Sequence, residues 1–393
     1  MARLFGGLVV LLLLAASYFY GLTHGSVTVE APPAAWAQSE PAAQAWQQHM
    51  VSLEAAAARV MAIAPDTRER EAGLAYLAQL SSAALEMKVA KGDPAYPGFT
   101  DWMADYRKFL GDSPDAVYHT AEIDARYQYE VTGNRGDAAY LGFMLYGTAA
   151  NGWNRPAGNL STQSLTVDAK GNFRVLLSTE RPTDYRGDWL QLDDDIHMLM
   201  VRQYYHRRDR ARLARLAIRN LSAVGREPLP LAKRLHAATT FFNETLNGNI
   251  ALMAMLQASP NSFEPPTSYN QSFGGVFYPT HDNTYFGTWF SLNDDEAMVV
   301  EGVAPEVDYW SISIQNRWMQ SLDYQAAPHT SLNNRDIEID EDGRYRVIVS
   351  REALANASWL DTNGYNHGLL SIRYQLAEGA QPPRLKIVKR DQL

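Results

Sequence analysis

Residues 357–370 read ASWLDTNGYNHGLL, so Trp359, Asp361, Asn363, Asn366 and His367 fall within one short stretch just before an apolar run. Aspartate accepts hydrogen bonds, asparagine both donates and accepts, and histidine is the side chain whose unperturbed charge changes near neutral pH. An aspartate and a histidine in one loop could share acid–base work. Gly364 and Gly368 border the polar groups and permit tight turns and close approach of backbone to a ligand. The same letters fit a quieter role, because Asp-Thr-Asn-Gly readily closes an Asx turn. His281 and Asp282 flank another strand of the same half. If they met His367, two nitrogens and a carboxylate could hold a transition metal, but the spacing gives a metal no support, and neither metal nor cofactor is expected. Trp310, Trp318 and Trp359, with Tyr309, Tyr324 and Tyr365, form an aromatic set that could fill a core or line a pocket for a ring, a sugar or an acyl chain. The expected ligand-binding residues are therefore Trp359, Asp361, Asn363, Asn366, His367, His281, Asp282, Trp310 and Trp318.

Several chemistries are excluded. No G-x-S-x-G, H-E-x-x-H, Walker or G-x-G-x-x-G pattern occurs. The chain has no cysteine, which removes disulfides, thiolate metal sites and cysteine nucleophiles. A net charge of −9, with the carboxylates dispersed, argues against nucleic acid as a partner. With 46% hydrophobic and 20% charged residues, the 393-residue chain has the composition of a folded globular protein.

The elements that must position these residues begin with an uncharged run from Leu4 to Leu22. At about 1.5 Å per helical residue it is long enough to span a bilayer core of about 30 Å. Ala15-Ala16-Ser17 offers a signal-peptidase site, so residues 1–22 read as an uncleaved anchor or a signal peptide. Arg3 precedes the run and no Lys or Arg follows until Arg59, which orients the bulk of the chain to the extracytoplasmic, periplasmic side. Residues 23–41 read as a tether. Residues 42–111 read as helical, with Trp46, Met50, Leu53, Ala57 and Val60 at helical spacing and DWMADYRKFLG as one more short helix.

From residue 112 the period changes to two, and the pattern then repeats. LTVDAKGNFRVLLSTE at 165–180 matches IEIDEDGRYRVIVSRE at 337–352. DAVYHTAEI from Asp115 matches DNTYFGTWF from Asp282, Tyr140 matches Tyr309, Trp189-Leu190 matches Trp359-Leu360, and Arg202 and Arg373 close the last strands. Blocks in the same order predict two related antiparallel β-sandwich domains, at 112–205 and 261–393, joined by a helical segment at 206–260. In that segment Arg208, Arg212, Arg215 and Arg219 would line one helical face and could meet anionic lipid, although RLAIRNLS also alternates like a strand. The fold class is α+β, mainly β, with a helical N-terminal layer.

The second copy, with VDYWSISIQNRWMQSLDY, DGRYRVIVSRE and SWLDTNGYNHGLLSIRY, resembles the bacterial family known as domain of unknown function 1214. The stretch SPDAVYHTAEIDARYQYEVTGNRGDAAYLGF resembles the upstream part of its longer members, so the likeness covers roughly residues 70–376. The resemblance implies β-sandwich domains joined by helices and carries no catalytic residues across. Relatives have a histidine at the position of Tyr365, whereas the nearest histidine here is His367. Two functions fit: a membrane-anchored envelope protein that binds or scaffolds an apolar, aromatic, lipid or glycan ligand through the second β-domain, or an enzyme with an Asp/His acid–base pair in that domain.

Overall fold

A computed structural model describes residues 40–393 apart from 151, 153, 223–227, 264–276, 281, 324–327, 355–356 and 378. The residues from Ala45 to Leu393 form one compact unit; of the other, Met1–Gln44, only the last few residues are described. Helix α1 (Pro41–Ile63) is followed by α2 (Thr67–Leu85). Asp66 caps α2 by accepting a bond from the Glu69 amide at 2.9 Å, which satisfies one of the free N–H groups of the first turn. Helix α3 (Leu231–Gln257) packs with them around Val60, Leu80, Ala84, Phe242 and Leu246.

The first copy is built from β2 (Ala116–Glu122), β3 (Tyr129–Asn134), β4 (Tyr140–Thr148), β5 (Asn154–Ser161), β6 (Asn172–Ser178), β7 (Asp188–Gln191), β8 (Met198–Tyr204) and β9 (Arg215–Asn220). An additional strand, β1 (Thr100–Met103), lies on the edge beside β2. The second copy has β10 (Asn283–Ser291), β11 (Glu296–Val303), β12 (Trp310–Gln315), β13 (Ser331–Asn333), β14 (Arg344–Ser350), β15 (Ser358–Asp361), β16 (His367–Gln375) and β17 (Arg384–Lys389). Strand order is β2-β8-β4-β5 and β7-β6-β3-β9 in one copy, and β10-β16-β12-β13 and β15-β14-β11-β17 in the other. These are the same topology, element for element. The agreement extends to register: the parallel pairs set Leu176 opposite Trp189 and Ile348 opposite Trp359. It extends to the hairpins, where Asp168 and Asp340 each accept two turn amides and Gly171 and Gly343 take φ of 81° and 74°, values that glycine adopts without strain.

Alternation along the strands gives each copy its core. Leu199 and Val201 of β8 face the first sandwich core, and Leu370, Ile372 and Tyr374 of β16 face the second. The other face of β8 carries Met198, Met200, Arg202 and Tyr204; that of β16 carries Leu369, Ser371 and Arg373. These two faces border the seam between the copies.

Some expectations need correction. Residues 101–111 are not a helix: Thr100–Met103 pairs with β2 because Trp102 and Met103 are buried while Asp101 stays outside. Residues 206–260 are not one helical segment. Arg215–Asn220 is a strand on β3, its side chains alternating between more and less exposed, so the first copy runs past residue 205. The anchored, extracytoplasmic localisation is also withdrawn. Among the described residues no helix is long and apolar enough to cross a membrane, and Leu4–Leu22 lies outside them, as do most of the tether, His281 and Tyr324.

Candidate functional site

The loop that opened the sequence reading is largely occupied with its own conformation. Asp361 Oδ1 accepts the Asn363 amide at 2.6 Å, and Asn363 and Gly364 take φ of 49° and 77°, which is an Asx turn leading into a left-handed pair. Asn366 sits in a surface network, donating to Asp294 at 3.0 Å and accepting from Arg351 at 3.1 Å. Trp359 Nε1 donates to Ser350 Oγ at 3.1 Å, as Trp189 Nε1 does to Ser178 Oγ at 2.9 Å in the first copy, so this bond belongs to the shared fold. The Trp359 ring also lies 5.2 Å from His329, at the edge of a broad cleft of about 750 Å³. Tyr365 carries the Arg68 guanidinium 3.5 Å above its ring.

His367 meets an acid, but neither of those expected. Its Nε2 is 3.4 Å from Glu69 Oε1, and its ring stacks on Trp289. Asp282 lies at the other end of the β10–β16 pair, where Asn283 faces Gln375 while Ser291 faces His367. Nine residues at about 3.4 Å each put Asp282 roughly 30 Å from His367, so those two do not meet; His281 lies outside the described residues. Trp310 and Trp318 are fully buried. Trp310 packs on Tyr345 and Tyr374 inside the second sandwich. Trp318 stacks on Tyr76 and donates to the Glu69 carbonyl at 3.0 Å. Of the four arginines expected to meet lipid, Arg208 binds Asp105 and the carbonyls of Pro114 and Ala116, Arg212 binds Asp137, and Arg219 binds Glu130.

The seam between the copies brings polar groups together instead. Tyr309 of the second copy donates to Asp115 of the first at 2.8 Å, and Tyr140 of the first donates to Asp282 of the second at 2.8 Å. An asparagine from the tyrosine's own copy supports each carboxylate: Asn333 at 2.9 Å on Asp115, and Asn159 at 3.1 Å on Asp282. Such reciprocity is what a two-fold-like contact produces. Burial pushes the Asp115 carboxyl up to about 6, against the pull of the bonds from Asn333 and Tyr309. A carboxyl raised in the folded state adds stability at low pH, and that contribution is lost as pH rises through about 6. Asp115→Asn should therefore remove a stability loss of about 1–3 kcal/mol between about pH 4 and pH 7, the range being wide because Asp115 is partly solvated. Urea denaturation at both pH values checks this; an unchanged pH slope in the variant would mean that Asp115 is not the titrating group.

Deeper in the seam is a cavity of about 60 Å³, lined by Arg202, Arg373, Tyr118, Tyr285, Gln315 and Ser371 among others. The strands place these groups symmetrically: Tyr118 on β2 faces Arg202 on β8, and Tyr285 on β10 faces Arg373 on β16. Both arginines are buried, at 4% and 6% exposure. Arg202 donates to Tyr146 Oη at 3.0 Å and to the Tyr278 carbonyl, and Arg373 donates to the Gly111 carbonyl. Arg202 Nη1, Arg373 Nε and Arg373 Nη1 have no acceptor among the described residues. No aspartate or glutamate is among the lining residues. Asp112, whose charge reaches Arg373, is bonded by the Ser321 amide at 2.8 Å and by its hydroxyl, and Asp282 is held by Tyr140 and Asn159. Burial pushes the Tyr118 and Tyr204 hydroxyls above the ordinary phenol range, so both remain neutral; they bond each other at 3.3 Å, which leaves the pair one free hydrogen-bond donor and no countercharge.

The sequence reading noted Arg202 and Arg373 only as strand-closing residues. One signal could have found the site: MLMVRQYY and GLLSIRYQ each set an arginine in an apolar strand, at matched positions, with no acid beside it.

The fold and the seam define a class: an internally duplicated, double-sandwich protein with a cationic cavity between its copies. Residues 116–207 and 276–377 both match the family described as "Protein of unknown function (DUF1214)", and the chain belongs to that family. The match falls on both copies, so the first is as much a member as the second. An uncharacterised protein from Burkholderia cenocepacia has a similar crystal structure, with 29% identity and a TM-score of 0.80 over 89% of this chain and 98% of that one. A protein from Vibrio parahaemolyticus matches at 13% identity and a TM-score of 0.45, over 80% of this chain and 97% of that one. The comparison with curated proteins found no match.

Proposed function

We propose that this chain binds a small anionic molecule in the cavity between its two copies. The observation that carries this reading is the pair of buried guanidiniums, one from each copy, lining one cavity with no carboxylate among its described lining residues. An uncompensated buried charge costs several kcal/mol, and two of one sign around one cavity also repel each other. An anion there would offset both terms, and neutral tyrosine hydroxyls would add hydrogen bonds to it. The ligand site thus moves from the second domain alone to the seam. The acid–base alternative is not favoured, because Asp361 is held in its own turn and Asp282 is remote from His367.

The test is calorimetric titration of the full chain with small carboxylates and oxyanions at low ionic strength. Saturable one-to-one binding is expected, and Arg202→Gln and Arg373→Gln should each weaken it by about 10- to 100-fold, the worth of a charge-assisted bond of roughly 1.5–3 kcal/mol. Absence of binding by every small anion in the folded parent would overturn the proposal.

A further inference from the structure

The cavity wall mixes cationic, polar and apolar groups, and that narrows the ligand; the inference rests on the anion-binding reading above. The rest of the lining includes the apolar side chains of Met103, Leu110, Met319 and Leu369 and the ring of Trp102, whose indole N–H is buried without a partner among the described residues. The same wall holds Gln315, which is 1% exposed. Its Nε2 donates to the Asp112 carbonyl at 3.3 Å. This bond sets the amide orientation, because a flipped amide would place Oε1 against that carbonyl. Gln315 Oε1 is then a buried acceptor with no donor among the described residues. Gly111 keeps the adjacent space open. A β-carbon there would lie 3.4 Å from Gln315 Oε1 and 3.6 Å from Arg373 Nη2, and its φ of 70° suits glycine.

A ligand satisfying this wall carries three features: a carboxylate for the guanidiniums, a hydrogen-bond donor for Gln315 Oε1, and a short apolar part for Met103, Met319 and Leu369. An ammonium donor would be repelled by the arginines, which leaves a hydroxyl. A cavity of about 60 Å³ has room for about five water-sized groups, which suits a ligand of a few heavy atoms better than an acyl chain. Inorganic phosphate would set oxygens against those apolar side chains. A 2-oxo acid would set an acceptor against an acceptor. We propose that the site is built for a small hydroxycarboxylate of about the size of lactate, with its hydroxyl donating to Gln315 and its carboxylate held by Arg202 and Arg373.

The experiment compares both enantiomers of lactate with propionate, pyruvate and inorganic phosphate by calorimetry on the full chain. One lactate enantiomer should bind at least about tenfold more tightly than propionate, since propionate leaves a buried acceptor unpaired. Gln315→Met should remove that preference while leaving propionate affinity within a few-fold of the parent; the ligand series on the unmodified chain stands whether or not the variant folds. Equal affinity for lactate and propionate, or tighter binding of phosphate, would overturn the hydroxycarboxylate assignment while the anion site stands. Binding of none of these anions would overturn both.

Discussion

Arg373→Met is expected to yield a protein about 1–3 kcal/mol more stable than the parent in anion-free buffer, and one whose stability no longer rises when small carboxylates are added. The sign follows from what the guanidinium has and lacks. It is buried at 6% exposure, donates to the Gly111 carbonyl, and has no acceptor for Nε or Nη1 among the described residues. Losing the carbonyl bond costs about 1 kcal/mol, whereas removing a buried and poorly compensated charge returns several. Methionine is unbranched and polarisable, and it fills the volume beside Met319 and Leu369 without a new polar atom. A function-bearing residue that lowers stability is what a binding site held ready for its ligand looks like. Urea denaturation of both proteins, with and without added lactate, measures the two effects together. A variant that is less stable by more than about 2 kcal/mol and still responds to lactate would mean that the protein itself neutralises Arg373.

The duplication was legible because each copy needs the same turn chemistry. Asp168 with Gly171 and Asp340 with Gly343 close equivalent hairpins, and hairpin geometry tolerates few alternatives. The helices were legible where apolar spacing met a cap, as at Asp66. DWMADYRKFLG misled because its helical spacing is a by-product of Trp102 and Met103 facing inward on an edge strand that exists only through pairing with β2. RLAIRN misled for the same reason, since its partner β3 is some eighty residues away in the chain. The site was the least legible part. Local density of polar residues marked 357–370, where Asp361 and Asn363 serve a turn. The cavity, by contrast, draws Arg202 and Tyr118 from one copy and Arg373 and Tyr285 from the other. No window of the sequence contains it, but superposing the copies does, because both pairs fall at matched positions. The acid that His367 meets, Glu69, was hidden for the same reason, since it is reached through a long-range contact between the second copy and the first turn of α2.

The same contact region sets the largest stability effect expected of any single change discussed. Trp318 is completely buried, stacks on Tyr76 with ring centroids 5.9 Å apart, and donates to the Glu69 carbonyl at 3.0 Å. It is the point at which α2 and the second copy lock together: a β-carbon on Gly73 of α2 would stand 2.7 Å from Trp318 Cζ2 and 2.4 Å from Val60 Cγ1. The tight turn around it is fixed by Asn316 Oδ1, which accepts the amides of Trp318 at 2.9 Å and Gln320 at 3.2 Å. Trp318→Ala removes the ring and the indole bond at once and opens a cavity that rigid strands and a capped helix cannot close. A loss of about 3–5 kcal/mol follows. The adjoining Met319 lines the anion cavity, and its carbonyl accepts the Gly111 amide at 2.8 Å, so loosening this turn should also weaken lactate binding. Because Trp318 belongs to the core shared by the helices and the seam, the variant should still unfold in a single transition, shifted to lower urea. A separate early transition of the helices, or a loss under about 1 kcal/mol, would show that α2 and the second copy are not coupled through this side chain.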